Sequence, residues 1–423
     1  MKRFILAYLR PLLVALLVIW GLSISAQPLK VEGYTKYAGQ YITQFKGNYF
    51  TLYRNDGYAV IDLNGKTITS GIKAPVIGFS REFSLYKGVF FADNANDIIL
   101  KNISGQTLGV GKYMEIVPFT TDNTVARVRT PLSSWIVAYI DTAGREIVRF
   151  DVKKYLSITD PLAKMGAFTF VSLQDFLPFS EGLTPIKSRV KEKYGFINKK
   201  LQLVIPVSFK QANPFSEGLA AVENDEGNWG FINTTGTLVI PYSYSRRPSR
   251  FISGLAKVEN KEGRRGFINK MNKVVIAPRY TYATSFYKGF ALVREEYNSP
   301  SCMIDSTGAI VTRFPQGVSY IDNAMPPAGI SGEERSEYPF YISETLRQLV
   351  DEGKGIFEKG MSYGLIDNKG NIVLDFKYQY LSDLHDGKMF AHITGYASNS
   401  PHDSFGIINE KGEWIIQVVA PEF

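Results

Sequence analysis

The chain has 423 residues, of which 45% are hydrophobic and 13% aromatic, and its formal net charge is +8. This hydrophobic content with so modest a charge can bury a core, which argues against intrinsic disorder, and the length admits one large or several small domains. Cys302 is the single cysteine, so an internal disulfide and a thiolate metal cluster are both excluded. Stability must therefore come from packing.

The start of the chain has the layout of a secretory signal peptide. A positively charged beginning is followed by the apolar run 12–20 and by small residues up to Ala26. We expect cleavage after Ala26, which gives a signal peptide at 1–26 and a mature net charge of about +5. The alternative is an uncleaved anchor helix, for which the apolar run is short. The sequence therefore predicts an exported protein in the periplasm, at the cell surface or outside the cell, with no membrane span after signal cleavage.

Divergent β repeats are predicted over 27–150. Short β-favouring runs end in Asp or Asn, and Gly follows three residues later, which is the preference of a type I turn whose first side chain caps backbone amides. Asp62, Asn102 and Asp141 begin this pattern here, and it recurs farther along the chain. Residues 151–177 then stretch the spacing and are predicted to form a connecting insertion.

Four clear copies of a repeat of about 36 residues occupy 178–312. A copy begins with an aromatic residue shortly before Gly and Leu, continues through Gly-Phe-Ile-Asn, and ends in a run such as Val-Ile-Pro. Fixed spacing over several copies indicates stacked supersecondary units. Asn198 leads to Leu201 where most other turns have Gly, and we expect a different turn there because leucine disfavours positive φ.

Glycine and proline have specific expected roles in each copy. The glycine before phenylalanine, as in Gly230, should leave room for the backbone or ring of a neighbouring unit to approach closely. Pro206, Pro241 and Pro278 lack an amide proton, so each is expected to end the third strand of its unit.

A second insertion is predicted over 313–360, followed by C-terminal β repeats over 361–423. Ser343 can cap a helix, and Leu346, Leu349 and Val350 share one face, so a short helix is expected in this insertion. Insertions in repeat proteins often lie on the binding face. The alternative is decoration, or a spacer between sub-arrays.

The repeat resembles the WG-repeat proteins of bacteria. Trp229-Gly230 is the Trp-Gly pair of the repeats, other units keep an aromatic residue before the glycine, and Arg265 departs from the pattern. The resemblance implies an all-β repeat protein with a binding or scaffold role, and it brings no catalytic residues. The structural residues of the motif are Gly195, Phe196, Asn198, Gly218, Trp229, Gly230, Phe231, Asn233, Gly236, Gly254, Gly266, Phe267, Asn269, Gly364, Asp367, Gly370, Gly406, Asn409 and Gly412.

Residues suited to catalysis or metal binding are few. His385, His392 and His402 lack the spacing of a helical zinc site, and no glycine-rich phosphate loop occurs. Glu181 and Glu217 share a repeat position, so we expect solvated turn acids along one face rather than the facing carboxylates of a glycosidase. Basic residues alternate with acids, which argues against a nucleic-acid groove. The sequence predicts no catalytic residue, no cofactor and no metal site.

Recurrent tyrosines form the candidate binding surface: Tyr242, Tyr244, Tyr280 and Tyr282. Exposed rings can stack on sugars or anchor a protein partner, whereas inward-facing rings belong to the core. Tyr242 and Tyr244 alternate along one strand and should share a face.

The predicted fold is all-β, a curved tandem array of about nine antiparallel hairpin or three-stranded units with one short helix in an insertion. The alternative is a closed, propeller-like ring, because propeller blades have nearly this repeat length. The predicted function is a secreted, non-catalytic binding or scaffold module for a protein or glycan partner at the cell envelope. A hydrolase of envelope polymers with carboxylates on loops, and a purely structural spacer, are the alternatives. The sequence leaves the partner and the oligomeric state open.

Overall fold

The computed structural model describes residues 29–31, 49–54, 57–62, 64, 66–74, 76–77, 80–81, 85–94, 97–109, 112–116, 123–128, 136–151, 177, 179–188, 190–320, 343–382, 384–393 and 404–419. The predicted signal peptide at 1–26 and nearly all of the insertion at 151–177 lie outside the described residues.

Strands make up most of the described chain. The strands of the first third are β1 (Leu29–Val31), β2 (Tyr49–Arg54), β3 (Gly57–Asp62), β4 (Thr67–Ile72), β5 (Val76–Ile77), β6 (Ser80–Arg81), β7 (Leu85–Tyr86), β8 (Val89–Asn94), β9 (Asp97–Asn102), β10 (Tyr113–Ile116), β11 (Asn123–Val128), β12 (Ile136–Asp141) and β13 (Glu146–Asp151). The middle strands are β14 (Leu183–Lys187), β15 (Tyr194–Asn198), β16 (Leu203–Phe209), β17 (Gln211–Ala212), β18 (Leu219–Glu223), β19 (Trp229–Asn233), β20 (Leu238–Tyr244), β21 (Leu255–Glu259), β22 (Arg265–Asn269), β23 (Val274–Tyr280), β24 (Tyr282–Ala283), β25 (Phe290–Arg294), β26 (Cys302–Asp305), β27 (Ile310–Arg313) and β28 (Ser319–Tyr320). The last elements are the helix α1 (Glu344–Asp351), β29 (Lys354–Lys359), β30 (Ser362–Asp367), β31 (Ile372–Tyr378), β32 (Tyr380–Leu381), β33 (Lys388–Ile393), β34 (Ser404–Asn409) and β35 (Trp414–Val419).

Consecutive strands pair antiparallel into small sheets. Seven sheets have three to five strands, one has seven and one has two. The sheets are arranged as a propeller-like ring. This confirms the all-β prediction, and it confirms the closed ring, given as the alternative, in place of the open curved array. β1 pairs in parallel with β35, with Leu29 opposite Ile416 and Val31 opposite Val418, so strands from the two ends of the described chain share one sheet.

Neighbouring sheets pack face to face through aromatic rings. In the unit β18–β19–β20, the first two strands are largely buried, whereas the third is largely exposed. Phe231 of β19 lies 4.9 Å from Phe251, the ring that begins the next unit, and the pair Phe196 and Phe215 repeats this contact at the same distance. The core is therefore a series of ring contacts between successive units.

The recurrent aromatic-x-x-Gly-Leu start is a two-residue hairpin turn. Ser216 and Leu219 exchange backbone hydrogen bonds, and the two residues between them have positive φ, 52° at Glu217 and 87° at Gly218. Positive φ at both central positions defines a type I′ turn, in which glycine is favoured. The same pair of angles recurs at 87–88, 181–182, 253–254, 288–289 and 386–387.

The predicted Asn and Asp turns are confirmed. Asn233 Oδ1 accepts hydrogen bonds from the amides of Thr235 (3.1 Å) and Thr237 (2.9 Å), and Gly236 has a φ of 87°. At Leu201 the expectation of a different turn is wrong, because its amide donates to Asn198 O at 2.9 Å and its φ is 59°. Its side chain is only 8% exposed. Burial of a leucine stabilises by about 1.5–3 kcal/mol, which offsets about 1–2 kcal/mol of left-handed strain.

The turn aspartates make part of the stability dependent on pH. A hydroxyl hydrogen bond from Thr307, with backbone amide bonds, lowers the pKa of Asp305 below its usual 3.8. Burial opposes the shift at Asp141 and Asp367, but hydrogen bonds from Arg145 and Asn371 outweigh it and lower the pKa of both. A carboxyl whose folded pKa lies below the unfolded value stabilises the fold above the unfolded pKa, and this contribution is lost as pH falls through the folded pKa.

The variant with Asp141, Asp305 and Asp367 all changed to Asn should therefore lose less stability than the wild type as pH falls below about 4. At neutral pH the two proteins should be nearly equal, because Asn233 makes the same amide contacts as Asp367. Urea unfolding between pH 7 and pH 2.5 measures this difference. Parallel curves for the two proteins would show that these carboxylates do not contribute to acid sensitivity.

The repeat glycine makes room for a strand of its own unit. A Cβ on Gly230 would lie 2.6 Å from Ile240 O in the third strand. That strand bulges at this point, since the register passes from Phe231 opposite Ile240 to Trp229 opposite Tyr244. The expected contact with a neighbouring unit is therefore replaced by one with the backbone of β20.

The prolines do not end the third strands. Pro206, Pro241 and Pro278 lie inside β16, β20 and β23, which continue for two or three residues beyond them. All three occur where the register shifts, and a bulge accommodates a residue without an amide proton. The expectation that they stop the strands is wrong.

The predicted helix in the second insertion is confirmed as α1. Ser343 caps it by accepting from the amide of Leu346, and Leu346 and Leu349 are buried in a cluster with Phe357. At the other end of α1, Asp351 accepts from Tyr287 Oη and Lys288 Nζ, both at 2.9 Å. The helix thus belongs to the core between two sheets. Within the described ranges, no helix is long and apolar enough to cross a membrane.

Candidate functional site

The four predicted tyrosines have different environments. Tyr280 is 1% exposed and belongs to the core, so it leaves the candidate surface. Tyr242 and Tyr244 are half-buried against the core, and burial raises the pKa of both phenols. Tyr282 is 45% exposed and is the member of the set that a partner can reach most readily.

Tyr280 and Tyr282 differ because the chain changes sheets between them. Tyr280 ends β23, and Tyr282 begins β24 in the next sheet. Thr281 lies between the two strands, and its hydroxyl donates to Arg294 O at 3.1 Å. This bond holds the connecting residue against β25. Alternation along a single strand therefore does not apply to this pair.

Arginine and tyrosine side chains from three sheets meet around Tyr282. The Arg265 guanidinium lies 5.5 Å from the Tyr282 ring centroid, and the Arg294 guanidinium lies 5.9 Å from that of Tyr320. The Tyr282 and Tyr320 rings make an edge-to-face contact at 5.7 Å and 69°. We call these four residues the junction cluster. Their contacts form one continuous chain of cations and rings.

Hydrogen bonds fix the two guanidinium groups of the junction cluster. Arg265 donates to Thr281 O, and its Nη2 lies 3.3 Å from a Glu259 carboxylate oxygen. Arg294 Nη2 donates to the Ser301 and Ser319 hydroxyls, both at 3.0 Å. An arginine stacked on an exposed ring contributes about 0.5–1 kcal/mol, and its remaining polar edge can bind a partner.

The preceding unit also pairs an arginine with an aromatic ring, but the arginine and the ring have exchanged their positions in the chain. Trp229 occupies the strand position that Arg265 has in the next unit, since they lie opposite Tyr244 and Tyr280. There Arg247 supplies the cation, 5.5 Å from the Trp229 ring, but Trp229 is only 5% exposed. Arginine in place of tryptophan thus accompanies an exposed aromatic ring. Arg265 is visible in the sequence as a departure from the motif, but its contact with Tyr282 is not.

Glu181 and Glu217 connect successive turns. Glu181 accepts a hydrogen bond from the amide of Gly218, and Glu217 accepts one from the amide of Gly254, both at 3.0 Å. The two glutamates lie one unit apart along the array, as expected, but they are bound to the next turn rather than merely solvated. Ser253 makes the corresponding contact with Gly289 at 3.3 Å.

In the part of the chain that the structure describes, no group of three or more His, Cys, Asp or Glu side chains is placed to hold a metal ion. His392 lies in β33 and His385 lies just before that strand, whereas His402 is outside the described residues.

Comparison with protein families supports the repeat assignment. The family model described as "WG containing repeat" matches residues 194–227, 229–263, 266–298 and 363–391. Each match contains one of the Gly-Phe-Ile-Asn runs or its Gly-Leu-Ile-Asp equivalent. The resemblance inferred from these runs is confirmed. No curated protein matches the chain.

Several solved structures align with much of this chain at low sequence identity. A eukaryotic initiation factor shares 8% identity over 88% of this chain and 96% of its own, with a TM-score of 0.50. The computationally designed Ika8 protein shares 10% identity over 73% of this chain and 91% of its own, with a TM-score of 0.39. BamB from Moraxella catarrhalis shares 10% identity over 63% of this chain and 85% of its own, with a TM-score of 0.31. At 8% identity the likeness to the initiation factor concerns the fold alone.

Proposed function

We propose that this WG-repeat protein is a non-catalytic binding module whose partner is a protein that docks on the junction cluster. The repeats and the propeller-like fold fit a binding or scaffold role. The observation that carries the proposal is the exposed Tyr282 ring where three sheets meet. The Arg265 guanidinium stacks on this ring, and the Tyr320 ring contacts it edge to face.

The chemistry of the junction cluster favours a protein partner over a glycan. Tyrosine and arginine are enriched among the residues that dominate protein interfaces. The Tyr282 ring is already held by its neighbours, so binding loses little side-chain entropy. Arg265 lies over the ring and competes with a sugar for that face, whereas a protein side chain can pack against the exposed ring edge.

Export to the cell envelope is part of the proposal and depends on the first 26 residues. Their charged start, apolar run and small residues have the signal-peptide layout. Mass spectrometry of the N-terminus after cell fractionation tests this point. A mature chain beginning at Gln27 outside the cytoplasm is expected, and an intact Met1 in the cytoplasm would contradict it.

Hydrogen bonds accepted by the repeat carboxylates support the non-catalytic assignment. Glu181 and Glu217 each bind an amide of the following turn and lie one unit apart, which does not suit a facing pair. If the protein were instead a hydrolase of envelope polymers, it would release soluble fragments from purified envelope material.

The Tyr282→Ser variant tests the binding surface. The chain from residue 27 would be used to capture proteins from an envelope extract, and the captured protein would be identified and its Kd measured. Loss of the ring should weaken binding about 30-fold, since removal of a central interface tyrosine costs about 2 kcal/mol. Thermal unfolding would confirm that the variant is folded.

Tyr380→Ser is the matched control. Tyr380 follows β31 as Tyr282 follows β23, and it is 37% exposed, but its neighbours are the rings of Tyr363 and Phe390. Its variant should bind as the wild type does. Equal losses in both variants would refute a specific site, and a glycan-array signal lost only in Tyr282→Ser would replace the protein partner by a sugar.

A further inference from the structure

One repeat position changes the sign of its charge at the junction cluster. The last residue of the second strand is Glu223 in one unit and Glu259 in the next, and each lies opposite the first residue of the third strand. Glu223 also lies opposite the first residue of β17. Arg294 lies opposite Tyr282, the first residue of β24, and so occupies the same position two units later. The unit that contains Tyr282 therefore has a cation where the two preceding units have a carboxylate.

The two glutamates are neutralised by the connections that precede their units. Glu223 pairs at 3.6 Å with Lys210, the residue before β17, and Glu259 pairs at 3.7 Å with Arg246. Thr281 is the residue before β24, so it takes the place of Lys210 and carries no charge. An ion pair of the earlier units is thus replaced by a threonine and an arginine.

Neutral groups hold the half-buried Arg294 guanidinium. Its Nε and Nη2 donate to Ser301 Oγ at 3.3 and 3.0 Å, and Nη2 also donates to Ser319 Oγ at 3.0 Å. Among the residues that the structure describes, no carboxylate forms an ion pair with it, including that of Glu358, which lies opposite Ser319. Nη1 makes no hydrogen bond within the same residues. Its two N–H groups are therefore the donors that a bound ligand can use.

Ion pairs near the junction cluster leave positive charge in excess. Glu259 pairs with Arg265 at 3.3 Å as well as with Arg246, so a single carboxylate is shared by two guanidinium groups. The other pairs are one to one, namely Arg264 with Glu296 at 2.9 Å and Arg279 with Glu295 at 3.5 Å. Because Arg294 adds a further cation, two positive charges are in excess among these groups. Arginine binds carboxylates through charge-assisted hydrogen bonds of defined geometry.

We propose that the partner protein docks through an acidic segment, of which an aspartate or glutamate carboxylate pairs with Arg294. The partner thereby supplies the carboxylate that this unit lacks. This inference rests on the proposed function, since it names the chemistry of the partner at the junction cluster. An apolar residue beside the acid packs on the exposed edge of Tyr282, and the excess charge speeds the encounter with an acidic surface. Binding should weaken as the salt concentration rises.

A displayed library of short random peptides, selected on the chain from residue 27, tests this preference. The selected peptides should be enriched in aspartate and glutamate. By fluorescence anisotropy, Arg294→Gln should bind such a labelled peptide about tenfold more weakly, because a charged hydrogen bond is lost. Arg294→Glu adds repulsion and should weaken binding about a hundredfold. This variant should fold, because Glu223 and Glu259 occupy the same position in other units, and thermal unfolding checks this.

Arg149→Gln is the matched control. It changes the net charge by the same amount, but Arg149 pairs with Glu146 and lies in another sheet. Its affinity for the peptide should stay within about twofold of the wild-type value, because salt screens distant surface charges. Equal losses in Arg294→Gln and Arg149→Gln would show a response to net charge alone and would overturn the inference.

The remaining outcomes separate this inference from the proposed function. Selected peptides that need Tyr282 but show no excess of acidic residues would overturn the acidic segment and leave the proposed function intact. Acidic peptides that bind Tyr282→Ser as well as wild type, but not Arg294→Glu, would support pairing with Arg294 and refute docking on the Tyr282 ring. Displacement of the peptides by polyphosphate at equal charge would indicate a general anion surface and would also overturn the inference.

Discussion

Gly266→Ala should lower the free energy of unfolding by about 3 kcal/mol, because overpacking of this kind cannot be relieved by rotating a side chain. A Cβ at this position would lie 2.5 Å from Ile276 O and 2.6 Å from Pro278 N. Both are backbone atoms of the bulged strand β23, so the strand itself would have to move. Urea unfolding followed by circular dichroism measures the loss.

Gly254→Asn is the control for Gly266→Ala. Gly254 has a φ of 78°, and a Cβ there would meet no atom within 4 Å. Glycine is used at 254 for its backbone conformation, which asparagine tolerates, so we expect a loss below about 1 kcal/mol. If both variants lost the same stability, close approach of β23 would not be the reason for glycine at 266.

Phe231→Ala should cost about 4 kcal/mol, in the range for large-to-small changes of buried phenylalanine. The Phe231 side chain is fully buried and lies 4.9 Å from Phe251 of the next unit, so its loss leaves a cavity between two sheets. Phe231→Leu should recover most of this loss, because it keeps most of the volume. Thermal and urea unfolding of the two variants give the comparison.

Met271→Ala is the matched control for the loss of a large apolar side chain. Met271 is 82% exposed, so its variant should differ from the wild type by less than about 0.5 kcal/mol. A Phe231→Ala loss no larger than that of Met271→Ala would contradict packing between units as the main source of stability.

The features that the sequence predicted are local ones. A turn at Asn233 needs only the capping side chain and a residue with positive φ three positions later, and both are visible in the sequence. The helix α1 was predictable for the same reason, since its cap Ser343 and its apolar face lie within eight residues. Such interactions require no knowledge of the rest of the fold.

The errors concern interactions between distant residues. The left-handed conformation of Leu201 depends on burial that its neighbours in sequence do not reveal. The sequence indicated a close approach at Gly230 but could not show that β20 makes it. The junction cluster joins Arg265 to Tyr320 through Tyr282, and no sequence spacing shows that three sheets meet there.

The pairing of β1 with β35 has a consequence for the order of folding. In the other sheets, the paired strands are consecutive in the chain, and short loops join most of them. The β1–β35 ladder joins segments farther apart in sequence than those of any other ladder in the described chain, so its loop-closure entropy cost is the largest among these ladders. During folding, β1 therefore stays unpaired until the distant segment that forms β35 reaches it. We therefore expect a folding intermediate with its sheets formed and this ladder unpaired, and a slow final phase that closes it.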